Sequence, residues 1–180
     1  MYQVGDKVVY PHHGAGTVVK KEKREVLGEQ REYLTIKILH NDMTVQVPSE
    51  NCDKVGLRRV IGEKDIGGVL KALTGISTEM PKNWNRRFKH NRDKMKTGDI
   101  LELSEVVRNL ALRDREKGLS TGEKQMFVKA KKILASELMY AKGMDEDTCA
   151  EWLEEVLASD GPPPRKKTAA KKKAAAAATA

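Results

Sequence analysis

No stretch of this 180-residue chain is apolar for long enough to span a bilayer, and the opening Met1-Tyr2-Gln3-Val4-Gly5-Asp6 lacks the charged-then-apolar order of a signal peptide. These two absences predict a cytoplasmic protein with no membrane partner. Cysteine is scarce. Cys52 and Cys149 stand far apart, without the spacing of a metal site or a disulfide framework, and read as ordinary reduced thiols. A nucleophile elbow is missing, as is any recognisable set of nucleophile, base and orienting residue. His12-His13 follow Pro11 with no third ligand and no glutamate at helical spacing, so a turn is expected there and not zinc. The run from Gly118 to Lys124 imitates a phosphate loop, but its glycines are too close together and neither Ser nor Thr follows the lysine. Asp145, Glu146 and Asp147 are accounted for by the macrodipole of the helix they open. No catalytic residue, metal, cofactor or small-molecule substrate is therefore expected, and binding is the better class of function.

The charge that is present lies in two places. The net charge is +8. Residues 82–96 alone carry +6 and residues 160–180 carry +5, while residues 97–159 carry −4. A balance of this kind favours a polyanionic partner through counterion release at each phosphate neutralised. The first cluster contains Trp84, set in Pro81-Lys82-Asn83-Trp84-Asn85-Arg86-Arg87-Phe88-Lys89-His90-Asn91-Arg92. Two readings of Trp84 stand side by side. Most tryptophans anchor a segment to a core, as Trp152 is expected to do beside Leu153, Val156 and Leu157. A rigid ring among cations also suits DNA, the cations gripping phosphates while the ring meets a base step. Clustering favours phosphate contact for Arg86, Arg87, Lys89 and Arg92 over a merely solvated helix face.

The pattern along the chain changes character once. Val8 to Tyr10, Gly16 to Lys23, Glu32 to Leu39 and Met43 to Val47 are rich in β-branched residues between Pro, Gly and Asn-Asp punctuation. Leu34, Ile36 and Ile38 alternate with polar neighbours, the period of a half-buried strand. A small antiparallel barrel is expected, since closure removes exposed edges. After Gly62 the period becomes helical. Helices are predicted over about 63–74, from the Trp84 segment to about Lys96, through Leu103 to Leu110 and on to Lys117, from the capping box Ser120-Thr121-Gly122-Glu123 through Leu138, and over about 145–158. The expected organisation is α+β: a barrel over 1–60, an all-α part over 61–159, and a disordered Lys/Ala-rich tail over 160–180 that serves as a DNA tether or as a solubilising extension.

VGDKVVYPHHGAG, GEQREYL, VPSENCDKVGLR, PKNWNRRFKHN and EVVRNLALRDREKGLSTGEKQM occur in that order, and with them residues 1 to about 158 resemble the CarD-like (CdnL) regulators of bacterial transcription, especially the actinobacterial ones. The resemblance implies a Tudor-like N-terminal domain that binds the RNA polymerase β subunit, in a holoenzyme with its housekeeping σ factor. It also implies a helical domain on promoter DNA and no catalytic activity. By similarity Trp84 would wedge into the minor groove at the upstream edge of the transcription bubble, Arg86, Arg87 and Lys89 would hold nearby backbone, and Lys124 would face DNA. Arg24 matches a polymerase-contacting arginine. The second such position is commonly arginine in the family and is Gln46 here, which removes that charge. The implied function is stabilisation of the open complex. Two rivals are a nucleoid-associated, non-specific DNA binder and a polymerase-docking adaptor that uses the barrel alone. The motor that couples transcription to repair shares a similar barrel, but its ATPase is lacking here.

Overall fold

The computed structural model describes residues 1–159, and the expected basic tail over 160–180 lies outside them. Four strands, β1 (Lys7–Tyr10), β2 (Gly14–Val26), β3 (Glu29–Ile38) and β4 (Thr44–Pro48), are followed by a two-residue strand β5 (Arg58–Arg59). All pair antiparallel in the order β4-β3-β2-β1-β5. The ladder is not closed between β4 and β5, so the expected barrel is an antiparallel sheet with β4 at one end and the very short β5 at the other. Its core is Val8, Val18, Leu34, Ile36, Ile38, Val47, Cys52 and Leu57.

The β2–β3 hairpin is longer than its hydrophobic pattern predicts, because its outer half is charged and exposed while the ladder continues to Val26 and Glu29. Leu27 and Gly28 form the two-residue connection, both with positive φ (56° and 82°), the backbone that matches the twist of the flanking strands. Leu27 is wholly exposed at this tip.

Among the described residues five α-helices follow: α1 (Ile66–Leu73), α2 (Trp84–Lys96), α3 (Ile100–Lys117), α4 (Thr121–Lys142) and α5 (Glu146–Ala158). Side chains close their first turns. Asn83 accepts from the amide of Arg86, Asp99 from Leu101 and Glu102, and Asp145 from Thr148, while Ser120 and Glu123 form the expected capping box. The apolar stripes meet in one core of Val69, Leu73, Val106, Leu110, Leu134 and Trp152 among others, so Trp152 is the core residue its stripe predicts. Arg108, also buried, donates to the carbonyl of Ala72 and to Asn109 Oδ1, and with Thr78 it ties down the segment before α2.

The sheet and the helices share a polar joint. Glu137 on α4 is fully buried and accepts from Arg58 Nη1 at 2.5 Å, Arg58 Nη2 at 2.8 Å and the amide of Ile61 at 3.0 Å. Arg58 Nε donates to the carbonyl of Gly98 at 2.6 Å. One residue earlier on α4, Ser136 Oγ accepts from the amide of Ala15 at 2.9 Å. Next to it Gly14 has φ +93°, and a Cβ there would stand 2.8 Å from Ser136 Oγ, so both backbone and space require glycine. Thr17 and Tyr140 hydroxyls pair at 2.9 Å.

Three histidines surround this joint, and burial is the first cause that lowers the proton affinity of each. Lys129 and Lys96 add to it at His12, Lys129 at His13, and Lys132 at His40, where Glu146 opposes. Above the ordinary histidine value of 6.5 the imidazoles are neutral in both folded and unfolded chains. As pH falls through that value the unfolded chain takes up protons first, so stability is lost until the folded-state values are passed. The expected outcome is a thermal unfolding midpoint, followed by circular dichroism, that falls between pH 7.5 and pH 5.5. His40→Gln should flatten part of that slope; an unchanged slope in a His12→Gln/His13→Gln/His40→Gln chain would assign the effect elsewhere.

Candidate nucleic-acid interface

Trp84 is the first residue of α2, placed there by the Asn83 cap. The residue is 44% exposed, yet its ring is not loose. It stacks on Phe88 one turn along, with centroids 5.3 Å apart and planes 22° apart, and its Nε1 donates to Ser120 Oγ at 2.9 Å. Ser120 is the cap of α4, so the indole bridges the N-termini of two helices. Gly122 lies beneath, where a Cβ would come 3.5 Å from Trp84 Cζ2 and 3.4 Å from Phe88 Cε2. The anchoring reading of Trp84 holds at its N–H end, while the residue as a whole stays 44% exposed. A wedge whose only donor is already satisfied can enter an apolar stack without stranding that donor.

Arg87 corrects the sequence reading. Its side chain is 4% exposed and faces inward, with Nε on Glu123 Oε1 at 2.7 Å and Nη1 on the carbonyls of Pro81 (3.2 Å) and Lys82 (3.0 Å). It has no surface to offer a phosphate. The α2 periodicity explains why, since Arg87 and Asn91 fall on the face turned to α3 and α4. Glu123 Oε2 in turn accepts from the Ser120 amide and hydroxyl, at 3.2 and 3.1 Å. A relay therefore runs from the buried Arg87 and Glu123 to the exposed Ser120 and Trp84. Burial works against ionisation of Glu123, but hydrogen bonds from Arg87 and Ser120 outweigh it and hold the carboxyl below the ordinary glutamate value. The sequence reading assigned Glu123 to the capping box alone. Its second role was hidden because its partner lies 36 residues away.

Arg86 and Lys89 on α2 and Lys124 in the first turn of α4 are exposed, and among the described residues none has an acidic partner within 4 Å. Arg86 and Lys89 are carried by the same helix as Trp84, and Lys124 by the helix whose cap holds the indole. Arg24 and Gln46 lie apart from them, on the sheet. They are exposed and bonded to each other, Arg24 Nη1 donating to Gln46 Oε1 at 3.0 Å, and Arg24 also pairs with Glu22. Gln46 thus accepts where an arginine would repel. Among the described residues no group of His, Cys, Asp or Glu is arranged to hold a metal ion, and no helix is long and apolar enough to cross a membrane.

Residues 2–61 match the CarD-like/TRCF RID domain family and residues 68–154 match the CarD C-terminal domain family. The Bacillus subtilis (strain 168) protein YdeB, whose name is that of a transcription factor, is 36% identical over 146 residues, 81% of this chain and 95% of its own. The solution structure of the 72-residue N-terminal domain of Myxococcus xanthus CarD is 30% identical, covering 33% of this chain and 79% of that one, with a TM-score of 0.29. The chain belongs to the CarD-like family of transcription regulators, with a Tudor-like N-terminal domain.

Proposed function

We propose that the chain bridges RNA polymerase and the upstream edge of the transcription bubble and stabilises the open complex. In this reading residues 1–60 dock on the polymerase β subunit and residues 61–159 hold promoter DNA. The observation that carries it is the half-exposed Trp84, fixed by Phe88 and Ser120 and flanked by the unpaired Arg86, Lys89 and Lys124. A pre-fixed apolar plane loses little entropy on insertion, and the cations position it on the backbone without reading sequence. An apolar wedge at a distorted step opposes restacking, so the effect falls on open-complex lifetime. The polymerase contact is assigned to the unpaired edge of β4 and to the Arg24–Gln46 pair beside it, where another sheet can add a strand. The RID family match supports this, and so does the resemblance of the ordered motifs.

The test is open-complex half-life on a ribosomal RNA promoter, with polymerase and its housekeeping σ factor. Wild type is expected to prolong it and Trp84→Ala to lose most of that gain while remaining folded. Equal prolongation by both proteins would assign the activity to the cations or the sheet. No prolongation by either, with DNA binding intact and no capture of the β subunit, would favour the nucleoid reading.

A further inference from the structure

A groove of about 300 Å³ opens beside the Trp84–Phe88 stack. Phe88, Arg92 and Lys96 of α2 form one wall, Gly122 and Lys129 of α4 another, and His12 of the β1–β2 turn the third. We propose that this groove is a phosphate-binding extension of the DNA site, in which His12, Arg92, Lys96 and Lys129 hold the sugar-phosphate backbone running on from the Trp84 step. The assignment rests on the DNA reading of Trp84, and it makes the polymerase-docking half of the chain a DNA contact as well.

Continuity is the first support. Phe88 and Gly122 belong to both the stack and the groove, so a strand leaving Trp84 enters the groove directly. Spacing is the second. Trp84, Phe88, Arg92 and Lys96 recur every fourth residue along α2 and form one ridge about 18 Å long. At about 3.4 Å of rise per nucleotide, that ridge matches about five nucleotides of one strand. Charge is the third. Neither Asp nor Glu lines the groove, and among the described residues Arg92, Lys96 and Lys129 have no acidic partner within 4 Å. Nearby cations are treated differently: Lys94 pairs with Glu105 and Lys131 with Glu154, each at 2.5 Å. Three unpaired cations gathered around an imidazole repel one another, a cost that a polyanion relieves.

His12 makes the site responsive to protons. Lys129 from α4 and Lys96 from α2 face it, and together with burial they keep it neutral near pH 7. A phosphate in the groove reverses their effect, so binding takes up a proton as pH falls.

The experiment is fluorescence anisotropy of the full chain with a labelled fork-junction DNA across a salt series, for wild type, Lys96→Ala/Lys129→Ala, His12→Gln and Trp84→Ala. The double variant is expected to lose about tenfold in affinity at 0.1 M salt, with the slope of log K on log salt shallower by about two. His12→Gln should abolish part of the gain in affinity between pH 7.5 and 5.5. Methylphosphonate linkages in the five nucleotides beyond the step should remove the difference between wild type and the double variant. If Trp84→Ala weakens binding while the groove variants leave affinity and slope unchanged, the groove assignment is overturned and the DNA reading stands. If neither matters, both fall. Weakened capture of polymerase with an unchanged DNA salt slope would give the groove to polymerase and also overturn the proposal. Lys96 and Lys129 are exposed, so an unchanged unfolding midpoint separates lost contacts from lost fold.

Discussion

Glu137→Ala is expected to destabilise the chain by about 3–5 kcal/mol, the usual consequence of removing one partner from a buried ion pair. Glu137 is fully buried and receives three hydrogen bonds, two from Arg58 and one from the amide of Ile61. Its loss leaves a half-buried guanidinium with only the carbonyls of Gly98 and Arg59, and strands the Ile61 amide. Against a total stability of about 5–15 kcal/mol this is a large fraction, and the thermal midpoint should fall by about 10 °C. The damage is placed where the sheet meets the helices. Urea unfolding of the variant should therefore separate into two transitions, the helical one reported by Trp84 and Trp152 fluorescence and the other by amide exchange in β1 to β4. The double variant Arg58→Ala/Glu137→Ala should be less damaged than the two single losses added together, because it leaves no unpaired charge. A single transition with an unchanged midpoint would show that the joint is held by packing and that the ion pair adds nothing.

The same residues show what a sequence reveals and what it hides. Helix positions, caps and most of the core were legible because periodicity and capping are local: Ser120 and Glu123 are three residues apart, and Val69 and Leu73 lie on one stripe. The strand β5 was not legible, since Arg58-Arg59 is two polar residues without alternation and exists through pairing with Val8 and Val9. The joint left one readable trace. Ser136 and Glu137 interrupt the apolar face of Ile133, Leu134 and Leu138, and polar residues at such positions require partners from another element. At the candidate site, Trp84 and its exposed cations were legible from composition. The inward turn of Arg87 was not, because a basic run gives no sign of which cation faces the core until α2 is seated on α4. Closure of the barrel was inferred from the cost of free edges, and the ladder instead leaves β4 unpaired, the edge assigned above to polymerase.

Glu123→Ala carries the other large effect, and its sign separates two views of the proposed DNA surface. Stability should again fall by about 3–5 kcal/mol, because the 4%-exposed Arg87 loses its charge partner and the α4 cap loses its reciprocal bond. Electrostatics alone would then predict tighter DNA binding, since one negative charge is lost from beneath the exposed cations Arg86, Lys89 and Lys124. The relay predicts the opposite. Without the Glu123 carboxylate the Ser120 hydroxyl loses its acceptor and is held only by the amide of residue 123 at 3.3 Å, so the Trp84 Nε1 bond at 2.9 Å is less well enforced and more of the ring must be ordered at the moment of binding. Open-complex half-life, measured well below the variant's unfolding midpoint, should drop towards that of Trp84→Ala, although Glu123 never reaches the surface. Ser120→Ala tests the same link at lower cost, about 1 kcal/mol for the lost cap. It should shorten the half-life with little change in fold and should change the Trp84 fluorescence spectrum. Longer-lived complexes with Glu123→Ala, or an unaltered half-life with Ser120→Ala, would mean that the indole needs no fixing and that local positive charge governs the lifetime.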